Sequence, residues 1–323
     1  GNSVESIGDN AFSSCYNLID VTIGNSVNSI GNRAFYSIKS NASIVLFPTT
    51  VPTLGTTAFD NTSKIYVPYQ SRSAYSSASN WSNYAIYSWL QKTIVGYGMG
   101  NDKWAFIASP VTSDVDPATI DGLIAETATE YDLYQLNPAA TNEWENWKQT
   151  GDHYHFDLVN GRGYLYANKN DVNIILKGDM FTGDYKDVTL QTGWNLVGNP
   201  YAQSAYINRS YYKMNAAGDD VEAVSAYTTT AIPVCTGVVV QGVSNEDVLR
   251  FTKTAPSKST GHGSLQMTLA KVGNRGNEMQ DKAIVIFGEY VQLSKYIFNE
   301  NHAKLYILQD GKDYAIAYSD GQS

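Results

Sequence analysis

A ten-residue phrase that returns after 23 positions constrains this chain more than any other feature. Ser3-Val4-Glu5-Ser6-Ile7-Gly8-Asp9-Asn10-Ala11-Phe12 is answered by Ser26-Val27-Asn28-Ser29-Ile30-Gly31-Asn32-Arg33-Ala34-Phe35, and a looser copy runs from Val51 to Phe59. Self-similarity with a period of roughly 20 to 29 residues belongs to coils that stack, each burying an apolar side against the next. Val4, Ile7, Ala11, Phe12, Leu18, Val21 and Ile23 supply that side in the first coil, and Val27, Ile30, Ala34, Phe35, Ile44 and Leu46 in the second. Gly8, Gly31 and Gly55 recur where a tight turn is expected, one that a residue without Cβ makes at little cost. Cys15 shares its slot with Ile38 one coil later, so it is expected to be a small buried apolar group.

The phrase S-V-x-S-I-G-x-x-A-F resembles the BspA-like branch of leucine-rich repeats, known from surface proteins of gut and oral Bacteroidetes. The likeness covers about the first fifth of the chain. It implies a short leucine-rich solenoid end, a bacterial cell-surface location, and binding to host matrix proteins or to other bacteria. The third copy departs from the pattern, with a shorter step from Phe59 to Ile65 and Val67. That decay reads as the end of an array. A capping helix is expected in Tyr69 to Tyr87, where Ala74, Ala78, Trp81 and Ala85 would share one face, against the weakening effect of many serines. Residues 1–91 are therefore expected to form the solenoid end and its cap.

From Lys92 the chain alternates aromatic and polar residues, and a second duplication is expected over 92–254, in units of about 92–180 and 181–254. Lys103-Trp104-Ala105-Phe106-Ile107-Ala108-Ser109-Pro110 parallels Gly193-Trp194-Asn195-Leu196-Val197-Gly198-Asn199-Pro200. Leu133-Tyr134-Gln135-Leu136-Asn137 parallels Tyr211-Tyr212-Lys213-Met214-Asn215, and Gly163-Tyr164-Leu165-Tyr166-Ala167 parallels Gly237-Val238-Val239-Val240-Gln241. Three landmarks in the same order suit all-β sandwich-type domains. The run Gly193 to Tyr201 resembles a recurrent segment of large Bacteroidetes surface proteins, which implies export. After a Pro/Ser/Thr/Gly linker, residues 255–323 are expected to hold four more strands, at Ser264 to Ala270, Lys282 to Gly288, Lys304 to Gln309 and Lys312 to Ser319, in a region that would continue beyond Ser323. The fold class is thus mainly β.

A net charge of -9 with only 16% charged residues opposes nucleic-acid binding, which needs clustered cations to displace counterions. No apolar run is long enough for a spanning helix, and the chain does not open on a signal peptide. Export and anchoring signals are expected upstream or downstream. The two cysteines, Cys15 and Cys235, form no metal or redox motif.

Chemistry-bearing residues are sparse. His153, His155 and Asp157 alternate as one face of a strand would, a possible zinc set, while Tyr154, Phe156 and Leu158 would be buried opposite; the simpler reading makes the trio a solvated face. Asp114, Asp116 and Asp121, and Asp219, Asp220 and Glu222, could offer oxygens to Ca²⁺ but lack EF-hand spacing and read as solvated turns. Glu143-Trp144-Glu145-Asn146-Trp147 mixes carboxylates with indoles, so Trp144 and Trp147 are candidate stacking platforms for a glycan, and the two acids a less favoured glycosidase pair. Gly96 to Gly100 reads as a turn rather than a dinucleotide loop. The expectation is a non-enzymatic surface adhesin or scaffold binding an extracellular protein, without cofactor. A glycan-binding module is the alternative, and a glycoside hydrolase or other enzyme comes third.

Overall fold

A computed structural model describes residues 3–98, 103–124, 129–141, 143–149, 155–226 and 229–256, with the backbone of four strands between 264 and 319. The repeat builds six short strands, β1 (Ser6–Ile7), β2 (Asp20–Ile23), β3 (Ser29–Ile30), β4 (Ser43–Leu46), β5 (Thr53–Leu54) and β6 (Lys64–Pro68). All pair in parallel: β1-β3-β5 form one sheet and β2, β4 and β6 lie side by side in another. Between the sheets lie Ile23, Ile30, Phe35, Ile44, Leu46, Phe59 and Ile65, all buried. Phe12, Phe35 and Phe59 form a stacked column, with ring centroids 5.0 and 5.6 Å apart. A polar column runs beside them: Asp9 Oδ1 accepts from Asn32 N at 2.7 Å, and Asn32 Oδ1 accepts from Thr56 N at 2.8 Å.

Two expectations about the repeat change. The left-handed backbone falls on Asn10, Arg33 and Thr57 (φ 55, 53 and 49°), two residues beyond each glycine. The glycines serve instead to let neighbouring turns touch. A Cβ on Gly31 would lie 2.5 Å from Asp9 N, and one on Gly55 2.4 Å from Asn32 N. Cys15 is exposed, whereas Ile38 in the same slot one turn later is buried.

The expected capping helix is also different. Only Arg72–Ser77 is α-helical (α1), and Ala78 is already extended at φ -75°, ψ 152°. Ser77 Oγ donates back to the Ser73 and Ala74 carbonyls, the local competition that makes serine a poor interior helix residue. Ala74 and Ala85 are exposed, so the predicted apolar face does not form. Closure comes from aromatics whose polar tips bind the main chain of the third turn and the segment before it: Tyr75 Oη donates to Pro48 O (2.9 Å) and Trp81 Nε1 to Pro52 O (2.8 Å). The chain then enters β7 (Ile86–Ile94), which pairs in parallel with β6 and runs through the junction expected at residue 91.

Next come β8 (Trp104–Ala108), β9 (Tyr131–Leu136), β10 (Trp144–Asn146), β11 (Gly163–Asn168) and β12 (Val172–Gly178). Strands 8 to 11 form an antiparallel sheet in the order β10-β9-β11-β8. Strand β12 returns to β7, so the repeat's sheet reads β12-β7-β6-β4-β2. Leu90, Ile94, Ile174 and Leu176 from β7 and β12 pack on Ile107, Leu133, Tyr164 and Tyr166 of the second layer.

The chain continues through β13 (Tyr185–Thr189), β14 (Gly193–Gly198), β15 (Tyr206–Ile207), β16 (Tyr211–Met214), β17 (Val221–Val224), β18 (Gly237–Gly242) and β19 (Val248–Thr252). One sheet is ordered β14-β18-β16-β17, the other β13-β19-β15, and Val197, Tyr211, Val238, Leu249 and Phe251 lie between them. Gly163 sits opposite Ala108 in the first four-stranded sheet and Gly237 opposite Gly198 in the second. The two four-stranded sheets meet across Phe106, Leu165, Leu196 and Val239. They exchange single bridges, Ile107 with Thr236 and Val197 with Arg162. Gly198 permits this contact, since a Cβ there would lie 2.4 Å from Arg162 O. Finally β20 (Ser264–Lys271) pairs with β21 (Met279–Ile286) and β22 (Lys304–Asp310) with β23 (Asp313–Ser319), close to the four expected strands.

Candidate interaction surface

Alternation along β2, β4, β6 and β7 gives their common sheet two unlike sides. Ile23, Ile44, Leu46, Ile65, Val67 and Ile86 point into the core, while Asp20, Thr22, Lys64, Gln91 and Thr93 on the other side are exposed. The outer side also carries aromatics. Register places Val45 beside Tyr66 and Tyr66 beside Tyr87, and the two phenol rings lie 5.6 Å apart at 40°. One step along, Trp89 lies against Phe47 at 4.7 Å, its Nε1 donating to Leu46 O at 2.8 Å. All four rings are half-buried, which leaves a shallow apolar strip on an otherwise polar sheet.

The rim of the strip is charged. Arg72 Nη2 pairs with Asp179 Oδ1 at 2.9 Å, and Lys177 with Asp121 at 3.1 Å. Partial burial pushes the Tyr66 phenol pKa up, with Tyr87 and Asp179 adding to the effect. Tyr66 is a neutral hydroxyl at physiological pH, with an apolar body and a hydrogen-bonding tip. Rigid aromatics ringed by polar groups and Arg are what protein-binding hot spots use. The sequence held a signal for this strip in the alternation of Tyr87, Trp89 and Gln91 with Ile86, Ser88 and Leu90.

The sequence-derived candidates are placed differently. Trp144 sits on β10 opposite Leu136, edge-on to Tyr134 at 6.5 Å, in the layer between the four-stranded sheets. Trp147 packs against the other core and meets the His155 ring edge-on at 5.0 Å. Three residues apart, the two indoles face opposite sides and form no joint platform. Between them Glu145 is buried, accepting from Gln135 Nε2 (2.7 Å) and Asn137 Nδ2 (2.9 Å), whereas Glu143 is exposed. Amides therefore hold the Glu145 carboxylate in place.

His155 and Asp157 are exposed and Phe156 and Leu158 buried, the alternation expected of that segment; His153 lies outside the described residues. Among the described residues no group of three His, Cys, Asp or Glu side chains is disposed to hold a metal. The acidic loops have local uses: Asp116 accepts from Ala118 N at 2.9 Å, Asp219 from Asn215 Nδ2 at 2.8 Å, and Glu222 pairs with Lys213 at 3.0 Å. Among the described residues no helix is long and apolar enough to cross a membrane.

Residues 1–88 match the family model for the BspA-type leucine-rich repeat region, a non-enzymatic repeat family associated with bacterial surface proteins. No curated protein and no solved structure matches the chain.

Proposed function

We propose that this chain is a non-enzymatic adhesin or scaffold of the bacterial cell surface that binds an extracellular protein through the outer face of its repeat sheet. The observation that carries the reading is the aromatic strip of Tyr66, Tyr87, Phe47 and Trp89 on that open face. The surface association of BspA-type repeats supports the location. In this reading the parallel turns are the end of a solenoid, which presents a regular surface rather than a reaction pocket. The β region that follows is one unit used twice. Matching strand orders, the shared register of Gly163 with Ala108 and Gly237 with Gly198, and reciprocal bridges support that view.

The test is adhesion to immobilised extracellular matrix proteins by the full chain and by Tyr66→Ala/Tyr87→Ala. A tyrosine hot spot is worth about 2 kcal/mol or more, so the double variant should bind at least roughly thirtyfold more weakly. Unchanged binding in that variant would refute the assignment of the strip. A glycan-array signal lost in Trp144→Ala and Trp147→Ala would favour the glycan-binding alternative.

A further inference from the structure

A second feature lies away from the aromatic strip, where β7 turns its other side to the β region. The inward positions of β7 are Ile86, Ser88, Leu90, Lys92 and Ile94, and Lys92 stands opposite Ile174, itself 1% exposed. Burial and alternation call for an apolar residue there. A lysine in that slot breaks the local rule, and such breaks concentrate at functional positions. Its ammonium donates to Thr236 Oγ1 at 2.8 Å, one acceptor for a group with three donors.

Lys92 and Thr236 both line a cavity of about 450 Å³, within the usual range for small-molecule sites. Lys92, Lys103 and Lys213 converge on it from three strands or their ends, in a chain whose net charge is -9. Lys213 is neutralised by Glu222, but among the described residues neither Lys92 nor Lys103 has a carboxylate partner. The remaining wall is largely apolar, with Trp104, Met214 and Ile94 prominent. Burial lowers the Lys92 pKa, as expected for a cation short of counter-charge.

We infer that this cavity binds a small carboxylate with an apolar body, its anionic end on Lys92 and Lys103 and its body against Trp104 and Met214. A carboxylate would supply Lys92 with the acceptor and counter-charge that the described residues withhold, and a charge-assisted hydrogen bond of this kind outweighs a neutral one. The indole and thioether offer a polarisable surface for a flat or aliphatic body.

The experiment titrates the full chain with benzoate, benzyl alcohol and benzylamine, three probes alike in body and different in charge. Binding is followed through the Met214 methyl and Trp104 indole resonances. Benzoate should bind about tenfold tighter than benzyl alcohol, as expected for a hydrogen bond to a charged group, and benzylamine more weakly than either. Lys92→Met keeps the stem and removes the charge, and should abolish the preference for benzoate; Lys103→Met should reduce it. Equal binding of benzoate and benzyl alcohol, benzoate shifts that miss Trp104 and Met214, or a preference unchanged in both variants would overturn the site.

Discussion

The phenylalanine column gives the sharpest quantitative test of the stacked turns. Phe35 is 1% exposed, with Phe12 on one side and Phe59 on the other, both nearly parallel to it. Truncating such a ring removes its transfer free energy and leaves a cavity that rigid strands cannot close, so Phe35→Ala should cost about 3 to 5 kcal/mol. Phe12 belongs to the same column but is 43% exposed and, among the described aromatic rings, stacks on Phe35 alone. With roughly half the burial and no enclosed cavity, Phe12→Ala should cost about 1 to 2 kcal/mol. Stacked units can open separately, so a global melt would blur the contrast. Hydrogen exchange of peptides spanning 29–46 and 53–59 reads it locally. Phe35→Ala should lower protection there by roughly a hundredfold or more, and Phe12→Ala by about tenfold. Equal losses in the two variants would show that enclosure between two neighbouring rings does not set the contribution of Phe35.

Two further outcomes follow from single contacts. Gly31→Ala forces a Cβ to within 2.5 Å of the Asp9 amide, whereas a Cβ on Gly8 meets nothing within 4 Å. The first should cost about 1 to 3 kcal/mol and the second stay within about 0.5 kcal/mol, as measured by urea denaturation. Asp247 is held below the usual carboxylate range, first by hydrogen bonds from Arg209 at 2.6 and 2.7 Å and then by the Val243 amide, against the opposing effect of burial. A folded pKa below the unfolded one stabilises the fold above the unfolded pKa, near 3.9, and that contribution is lost as pH falls through the folded value. The melting-temperature gap between the native chain and Arg209→Met should therefore be full near pH 6 and shrink towards pH 2. A gap that widens with acid would contradict the linkage.

Much of the architecture was legible because it is periodic. The return of Ile7 as Ile30, and of Phe12 as Phe35, fixes which residues share a column, and parallel pairing at that step follows. Trp104 and Trp194 lie on β8 and β14, and Gly163 and Gly237 on β11 and β18. Features decided by distant neighbours were not legible. Whether Trp144 is a platform or a core residue depends on the sheet opposite, which brings Leu196 and Val239 to the same layer, and nothing local to residue 144 encodes that. The helix expected within Tyr69 to Tyr87 stops at Ser77 for a related reason. Tyr75 and Trp81 reach carbonyls 27 and 29 residues away, and those tertiary hydrogen bonds override a weak local propensity.

Strand β7 connects the aromatic strip with the cavity. It has two faces. Tyr87 and Trp89 extend the repeat's outer surface beyond the last repeating strand, while Lys92 faces the cavity under the β region. Because β12 pairs with β7 along Ser88 to Ile94, the outer strip is braced by a strand whose inner residues, Ile174 and Leu176, belong to the next core. A ligand on the strip would bear on a surface backed by two cores, which reduces the conformational entropy lost on binding. The same bracing predicts that Leu176→Ala, a cavity-forming change on the far side of the sheet, weakens matrix binding without touching the ligand. Its effect should fall short of that of Tyr66→Ala/Tyr87→Ala when the three proteins are compared in one adhesion assay. A Leu176→Ala chain that remains folded and binds as tightly as the native one would mean that the strip works from the repeat alone.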